Sequence, residues 1–202
     1  MEHRGRACVH PQTRAEWRRW LARNHARSDG VWLVSWKVAT GRPVVPYADA
    51  VEEALCVGWI DSLASSLDDE RRLLLMTPRR RGSAWSRLNK QRVERLTAAG
   101  LMKPAGLAAV EAAVADGSWT ALDAVEDLVE PDELAAALDA EPAARASWDG
   151  FSPSARKGIL AWIITAKRPE TRSRRIAETV RLAAEGTTAN QLVRKARPAG
   201  SA

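Results

Sequence analysis

The stretch Cys56–Lys90, CVGWIDSLASSLDDERRLLLMTPRRRGSAWSRLNK, decides the fold. Two runs, Trp59 to Leu67 and Arg71 to Thr77, flank Asp68-Asp69-Glu70, and extended runs on either side of an acidic turn read as a β-hairpin closing at Asp68–Asp69. Pro78 ends the second strand, having no N–H to give to a ladder. Beyond it, Ser83 is placed to cap a helix that Gly100 closes, with Trp85, Leu88, Val93 and Leu96 facing inward.

Working upstream, Tyr47 to Gly58 reads as a short helix with Ala50, Val51, Ala54 and Leu55 inward and Gly58 as its left-handed terminator. Val31 to Val38 is β-branched and aromatic and alternates Trp32, Val34, Trp36 and Val38 on one face, which predicts a half-buried strand. Thr13 and Glu16 form a capping box ahead of Trp17, Trp20 and Leu21, so a helix starts there. The first dozen residues read as loose. Downstream of Gly100 every segment has helical spacing, with Pro104, Pro153 and Pro169 at first-turn positions, Ser152 as a cap, and Ile159, Leu160, Trp162 and Ile163 buried. The expected fold class is α+β: a small antiparallel sheet covered by helices, followed by an all-helical C-terminal lobe. The expected division is 12–100 for the sheet-and-helix lobe, 101–186 for the helical lobe, and 187–202 for a basic frayed tail.

Hydrophobic residues make up 46% of the 202-residue chain and charged residues 28%, enough apolar material for a core. Nine tryptophans stand against one tyrosine and one phenylalanine, and indoles of that size serve mostly as buried anchors. Two cysteines, Cys8 and Cys56, form no CxxC and no cluster with histidine, so neither a disulfide framework nor a metal site is expected, and reduced thiols fit a cytoplasmic protein. The start has no apolar signal core, and no apolar run reaches the roughly 20 residues a membrane span requires, so no membrane insertion is expected.

The net charge of +6 is unevenly placed. Residues 71–103 hold ten Lys/Arg against Glu94, residues 105–149 hold eleven Asp/Glu against Arg145, and residues 150–202 return to eleven bases against three acids. Two basic segments around an acidic one either pair internally or present a positive face to an anionic partner.

Three constellations follow. In the first, Trp59, Asp61, Ser62, Arg79, Ser83, Trp85, Ser86 and Asn89 line a Trp/Arg cleft between sheet and helix. There a helix N-terminus beside Arg79–Arg81 suits a phosphate or carboxylate and the indoles form walls. The other reading of the same residues is a structural clamp, with Asp61 neutralised by Arg79 and Ser83 merely capping. In the second, Lys167, Arg168, Arg172 and Arg175 form a basic surface which, with segments 71–103 and 156–175, would grip nucleic acid. The third is enzymatic: Asp61 is the one carboxylate suited to acid/base work on a small substrate, but neither a GxSxG nucleophile elbow nor a phosphate-binding glycine pattern accompanies it. No catalytic residue and no cofactor is assigned.

Three segments carry a family likeness: YADAVEEALCVGWIDS (47–62), TPRRRGSAWSRLN (77–89) and AKRPETRSRRI (166–176). With their flanks, from about Trp17 to Gly186, they resemble the YdeI/OmpD-associated, bacteriocin-protection family. That resemblance implies a link to tolerance of bacteriocins or cationic antimicrobial peptides and brings no reaction with it; joined to the Trp/Arg cleft, it gives the expectation of a non-enzymatic protein that binds an anionic small molecule or a protein partner.

Overall fold

The computed structural model describes residues 1–190, which form two compact units, Met1–Ala121 and one beginning at Leu122. The hairpin of the first unit is as read: β4 (Trp59–Ser66) and β5 (Arg71–Pro78) pair antiparallel. Asp68 makes the turn, accepting from the N–H groups of Glu70 (3.0 Å) and Arg71 (2.7 Å) while pairing with the Arg71 guanidinium, which holds its carboxyl below the usual range.

β3 (Val31–Trp36) lies on the other side of β5, with Val31 opposite Met76 and Trp36 opposite Arg71. It is buried on both faces from Val31 to Ser35, not on one, and it stops at Trp36. Val38, expected inside, sits in a 3₁₀ turn with 79% of its surface exposed. The reason is a further pair of strands. β1 (Glu2–His3) and β2 (Arg6–Val9) form a small hairpin through Arg4 and Gly5 at φ 48° and 73°, and β2 pairs parallel to β3. The order is β1-β2-β3-β5-β4, so β3 is internal and the sheet, expected antiparallel, contains one parallel pair. The start of the chain, read as loose, is therefore a sheet edge.

Helix α1 (Arg14–Asn24) begins at Thr13, whose hydroxyl accepts from the Glu16 N–H at 3.2 Å, and α2 (Tyr47–Cys56) follows the Gly/Pro turn. Both cover one sheet face: Trp17, Leu21, Ala50 and Ala54 pack against Val31, Leu33, Trp59 and Met76. Trp17 and Trp20 stack with centroids 5.3 Å apart and planes 12° from parallel, and Trp59 stands edge-on to Trp20 at 6.0 Å. Trp32, Val34 and Leu73 form a second cluster across the sheet.

Helix α3 (Arg87–Ala98) starts later than expected. Its cap is Ser86, which accepts from the Asn89 N–H at 3.3 Å; the Ser83 hydroxyl instead donates to the Arg80 carbonyl at 2.7 Å. Val93 and Leu96 are buried as expected, but Leu88 is 56% exposed. Five positions separate Leu88 from Val93, roughly 140° of helix rotation, so the two cannot share a face. Helix α4 (Pro104–Ala115) packs against α2 in this unit, although the expected boundary at 100/101 put it with the later helices. That contact is close: a Cβ added to Gly106 would lie 2.8 Å from the Leu55 carbonyl oxygen and nearer still to that of Cys56. Gly58 faces it, at φ 76° and with the Ala105 carbonyl oxygen 2.9 Å from where its Cβ would be.

The second unit is helical among the described residues: α5 (Asp123–Glu126), α6 (Asp132–Asp139), α7 (Pro142–Gly150), α8 (Pro153–Ile164) and α9 (Pro169–Ala184). Leu134, Leu138, Trp148, Ile159, Leu160 and Ile163 form its core, while Trp162 is only half-buried. Ser152 caps α8 as read, accepting from the Ala155 N–H at 3.2 Å. Of the expected tail, Ala189 joins this core at 4% exposure while Thr187 and Asn190 are exposed, and 191–202 lies outside the described residues. No helix among the described residues is long and apolar enough to cross a membrane.

Candidate functional site

The structure divides the expected Trp/Arg cleft. Trp59 is core: its Nε1–H donates to the His25 carbonyl at 3.2 Å and its ring meets Trp20, so it is no cleft wall. Ser62 sits at an irregularity of β4 between Asp61 and Leu63, exposed, with its hydroxyl donating to the Leu75 carbonyl at 3.3 Å.

What does converge is Arg79 with Trp85. The guanidinium carbon lies 3.7 Å from the centroid of the buried Trp85 ring, and one nitrogen donates to the carbonyls of Ser83 (3.3 Å) and Ala84 (2.8 Å). Burial pulls the Arg79 pKa down to about 10, which still leaves a cation at neutral pH. Asp61, expected to be neutralised by Arg79 in the clamp reading, takes its hydrogen bond from the Tyr47 hydroxyl instead, at 2.8 Å. Burial and that bond to Asp61 both push the Tyr47 hydroxyl up, so it remains a protonated donor. Asn89 accepts from Arg92 at 2.8 Å, and Arg92 is 8% exposed. Tyr47 and Arg92 thus belong to this polar cluster, though neither stood out in the sequence.

The loop Arg79–Ser83 leaves a recess of only about 40 Å³. Asp116 already serves the loop as its anion, accepting from the Gly82 N–H at 3.0 Å and the Ser118 N–H at 3.0 Å. Those bonds, from Ser118 first, hold the Asp116 carboxyl below its usual range. The arginine loop is a brace fastened at both ends, but not by the contacts of the clamp reading: Asp61 bonds Tyr47 and the helix cap is Ser86.

A larger opening lies elsewhere in the same unit. A cavity of about 480 Å³, within the range of small-molecule sites, is bounded by α1, α2 and the start of α4. Leu21, Ala22, Val57, Leu101, Pro104 and Ala105 give it apolar walls; Arg18, His25, Glu53 and Lys103 supply the polar groups. Glu53 is 4% exposed, yet it is doubly paired, with Arg18 at 2.6 and 2.7 Å and with Arg14 at 2.6 Å. Burial alone would raise its pKa; the two guanidiniums outweigh that and hold it below the usual carboxylate range. No residue of this cavity was singled out in the sequence as a site.

Residues 9–109, half of the chain, match the family model described as a domain of unknown function, DUF8412. The chain belongs to the DUF8412 family. Every residue of the cavity lies inside that match. Residues 127–186 match the model described as bacteriocin-protection, YdeI or OmpD-associated, so the C-terminal part is a YdeI/OmpD-associated domain. The family models thereby divide the resemblance read from the sequence: AKRPETRSRRI falls in the YdeI/OmpD-associated match, whereas YADAVEEALCVGWIDS and TPRRRGSAWSRLN fall in the DUF8412 match. No curated protein and no solved structure matches the chain.

In the YdeI/OmpD-associated domain the expected basic surface is partly consumed by internal contacts. Arg172 pairs with Glu133 at 3.0 Å, and Arg175 donates to the Trp162 carbonyl with its guanidinium 5.0 Å from that ring. Lys167 and Arg168 are exposed at the start of α9. Glu130 is a hub, accepting from Arg145, Arg156 and the Trp148 indole at 2.7–3.1 Å, and Lys157 pairs with Glu126 at 2.8 Å. Arg156, Lys157 and Arg172 of the basic C-terminal segment are thus paired with carboxylates of the acidic one within this domain.

Cys56, the thiol in the DUF8412 cavity wall, is pushed up to about 11 by burial. It is expected to alkylate with iodoacetamide at least ~10-fold more slowly than glutathione at pH 8, because its smaller thiolate fraction outweighs the greater nucleophilicity of a more basic thiolate. Mass spectrometry of the Cys56 peptide over time checks this; alkylation at the glutathione rate would show the thiol to be activated.

Proposed function

We propose that the protein is a cytoplasmic small-molecule-binding protein that serves tolerance of bacteriocins or antimicrobial peptides, and that it binds in the cavity under α1 and α2, not in the Trp/Arg cleft. The observation that carries this reading is the contrast between about 480 Å³ in the cavity and about 40 Å³ in the recess of the arginine loop. The YdeI/OmpD-associated domain supports the tolerance half of the proposal. Apolar walls with a few fixed polar groups suit reversible capture. The protonated state of Cys56 at neutral pH favours capture over covalent chemistry.

The test is survival with the cavity open or filled. Ala22 is exposed on α1 at the cavity rim, so Ala22→Trp fills the opening with little cost to the helix. A strain lacking the protein is expected to show a lowered inhibitory concentration of a cationic antimicrobial peptide, restored by wild type and by Ala22→Ser but not by Ala22→Trp. An unchanged inhibitory concentration in the deletion strain overturns the tolerance role. Full rescue by Ala22→Trp overturns the cavity as the working site.

A further inference from the structure

We infer that the cavity selects an amphipathic anion: an apolar body of drug-like size carrying one carboxylate, sulfonate or phosphate head, which Lys103 receives. The inference rests on the reading of the cavity as the binding site and adds the chemical class of its occupant.

The charge inventory of the cavity carries it. Glu53 and Arg18 both face the opening, but they are committed to each other: two Arg18 nitrogens take both Glu53 oxygens, and Arg14 takes one of them again. Glu53 therefore has two cations for one negative charge and little left to offer a cationic guest. His25 is engaged at one ring nitrogen by the Leu21 carbonyl at 2.9 Å. Lys103 differs. Its backbone N–H donates to the Cys56 carbonyl at 2.9 Å, which anchors the residue at the rim, while its exposed ammonium has no ion-pair partner among the described residues. Its charge reaches into the cavity, since it is one of the influences that lower the pKa of the Cys56 thiol against the larger effect of burial. An apolar chamber with one uncompensated ammonium at its edge favours a guest whose hydrocarbon part is buried and whose negative end stays at the mouth. A cationic guest would meet Lys103 without a carboxylate to balance it, so a cationic peptide is not what the chamber itself holds.

A matched pair of fluorescent probes tests the class. Anilinonaphthalene sulfonate and phenylnaphthylamine share the same ring system and differ by the sulfonate. Titrated into the full-length protein, the sulfonate is expected to bind about 10-fold more tightly than the neutral probe, as one charge-assisted hydrogen bond gives. Lys103→Gln is expected to erase that preference by weakening the sulfonate to the affinity of the neutral probe for the same variant, and Ala22→Trp to abolish both. Equal binding of the two probes by wild type overturns the anion class and leaves the cavity standing. A preference that survives Lys103→Gln overturns the role of Lys103. Failure of folded wild type to bind either probe, or binding of both that Ala22→Trp does not weaken, overturns the cavity reading on which the inference rests.

Discussion

Gly106→Ala is expected to destabilise the first unit by about 3 kcal/mol, at the upper end for overpacking a tight contact. The sign is what makes the result informative. Gly106 lies in the first turn of α4, and replacing a helical glycine by alanine ordinarily gains roughly 0.5–1 kcal/mol. Here the added methyl would press on the carbonyls of Leu55 and Cys56, which are backbone and cannot swing aside as a flexible side chain would. Helix α4 must then lift away from the end of α2, and the lifted segment includes Pro104 and Ala105 of the cavity wall. Urea unfolding followed by tryptophan fluorescence measures the loss, and phenylnaphthylamine binding should weaken with it. An unchanged or raised stability would mean that the two helices do not approach this closely.

Trp85→Ala is expected to cost about 4 kcal/mol, within the range for truncating a fully buried aromatic side chain. Trp85 is 1% exposed, sits among Val93, Leu96 and Ala113, and meets the Trp119 ring at 5.0 Å. Its removal leaves a void and also takes away the surface on which the Arg79 guanidinium rests. Arg79→Ala should cost less, about 1–2 kcal/mol, because it breaks two hydrogen bonds to loop carbonyls without opening the core. If Trp85 and Arg79 form a clamp, the double variant will lose less than the sum of the singles in denaturant titrations. A loss below about 1 kcal/mol for Trp85→Ala would remove the structural reading and return these residues to candidacy as a ligand wall.

The parts of the fold legible in the sequence are those whose signals are local. The β4–β5 hairpin was readable because its turn chemistry sits at Asp68, between two runs that need no distant partner to be recognised. Helix α2 showed its buried face as Ala50, Val51, Ala54 and Leu55 at helical spacing, and Gly58 its end. The β1–β2 hairpin was not readable: its strands span two and four residues, and β2 gains its place only by pairing with β3 more than twenty positions later. The same hairpin accounts for β3, whose alternation predicts one buried face, being buried on both. Ser83 and Ser86 are equally good caps by composition, and the choice between them is made by the Arg79–Gly82 loop and its tie to Asp116.

The candidate site divides along the same line. Arg79 and Trp85 are six positions apart, and their association was visible in the sequence. The cavity was not, because its walls come from α1, α2 and the segment before α4, and each wall residue alone reads as ordinary core or rim. The bond between Tyr47 and Asp61 joins residues fourteen positions apart on different elements, and nothing in either neighbourhood announces the other.

Trp17 and Trp20 lie nearly parallel on α1, beside Leu21 and Ala22 at the cavity, and Trp59 stands edge-on to Trp20. Indoles held this way share their excited states, so light absorbed by one is not confined to it. The group should contribute an excitonic signal to the circular dichroism spectrum, and the part lost in Trp20→Phe separates it from that of Trp85 and Trp119, whose rings lie 5.0 Å apart. The coupling of Trp20 on α1 to Trp59 on β4 is thereby an optical gauge of whether α1 is seated on the sheet, and any guest that shifts α1 can be followed without a label.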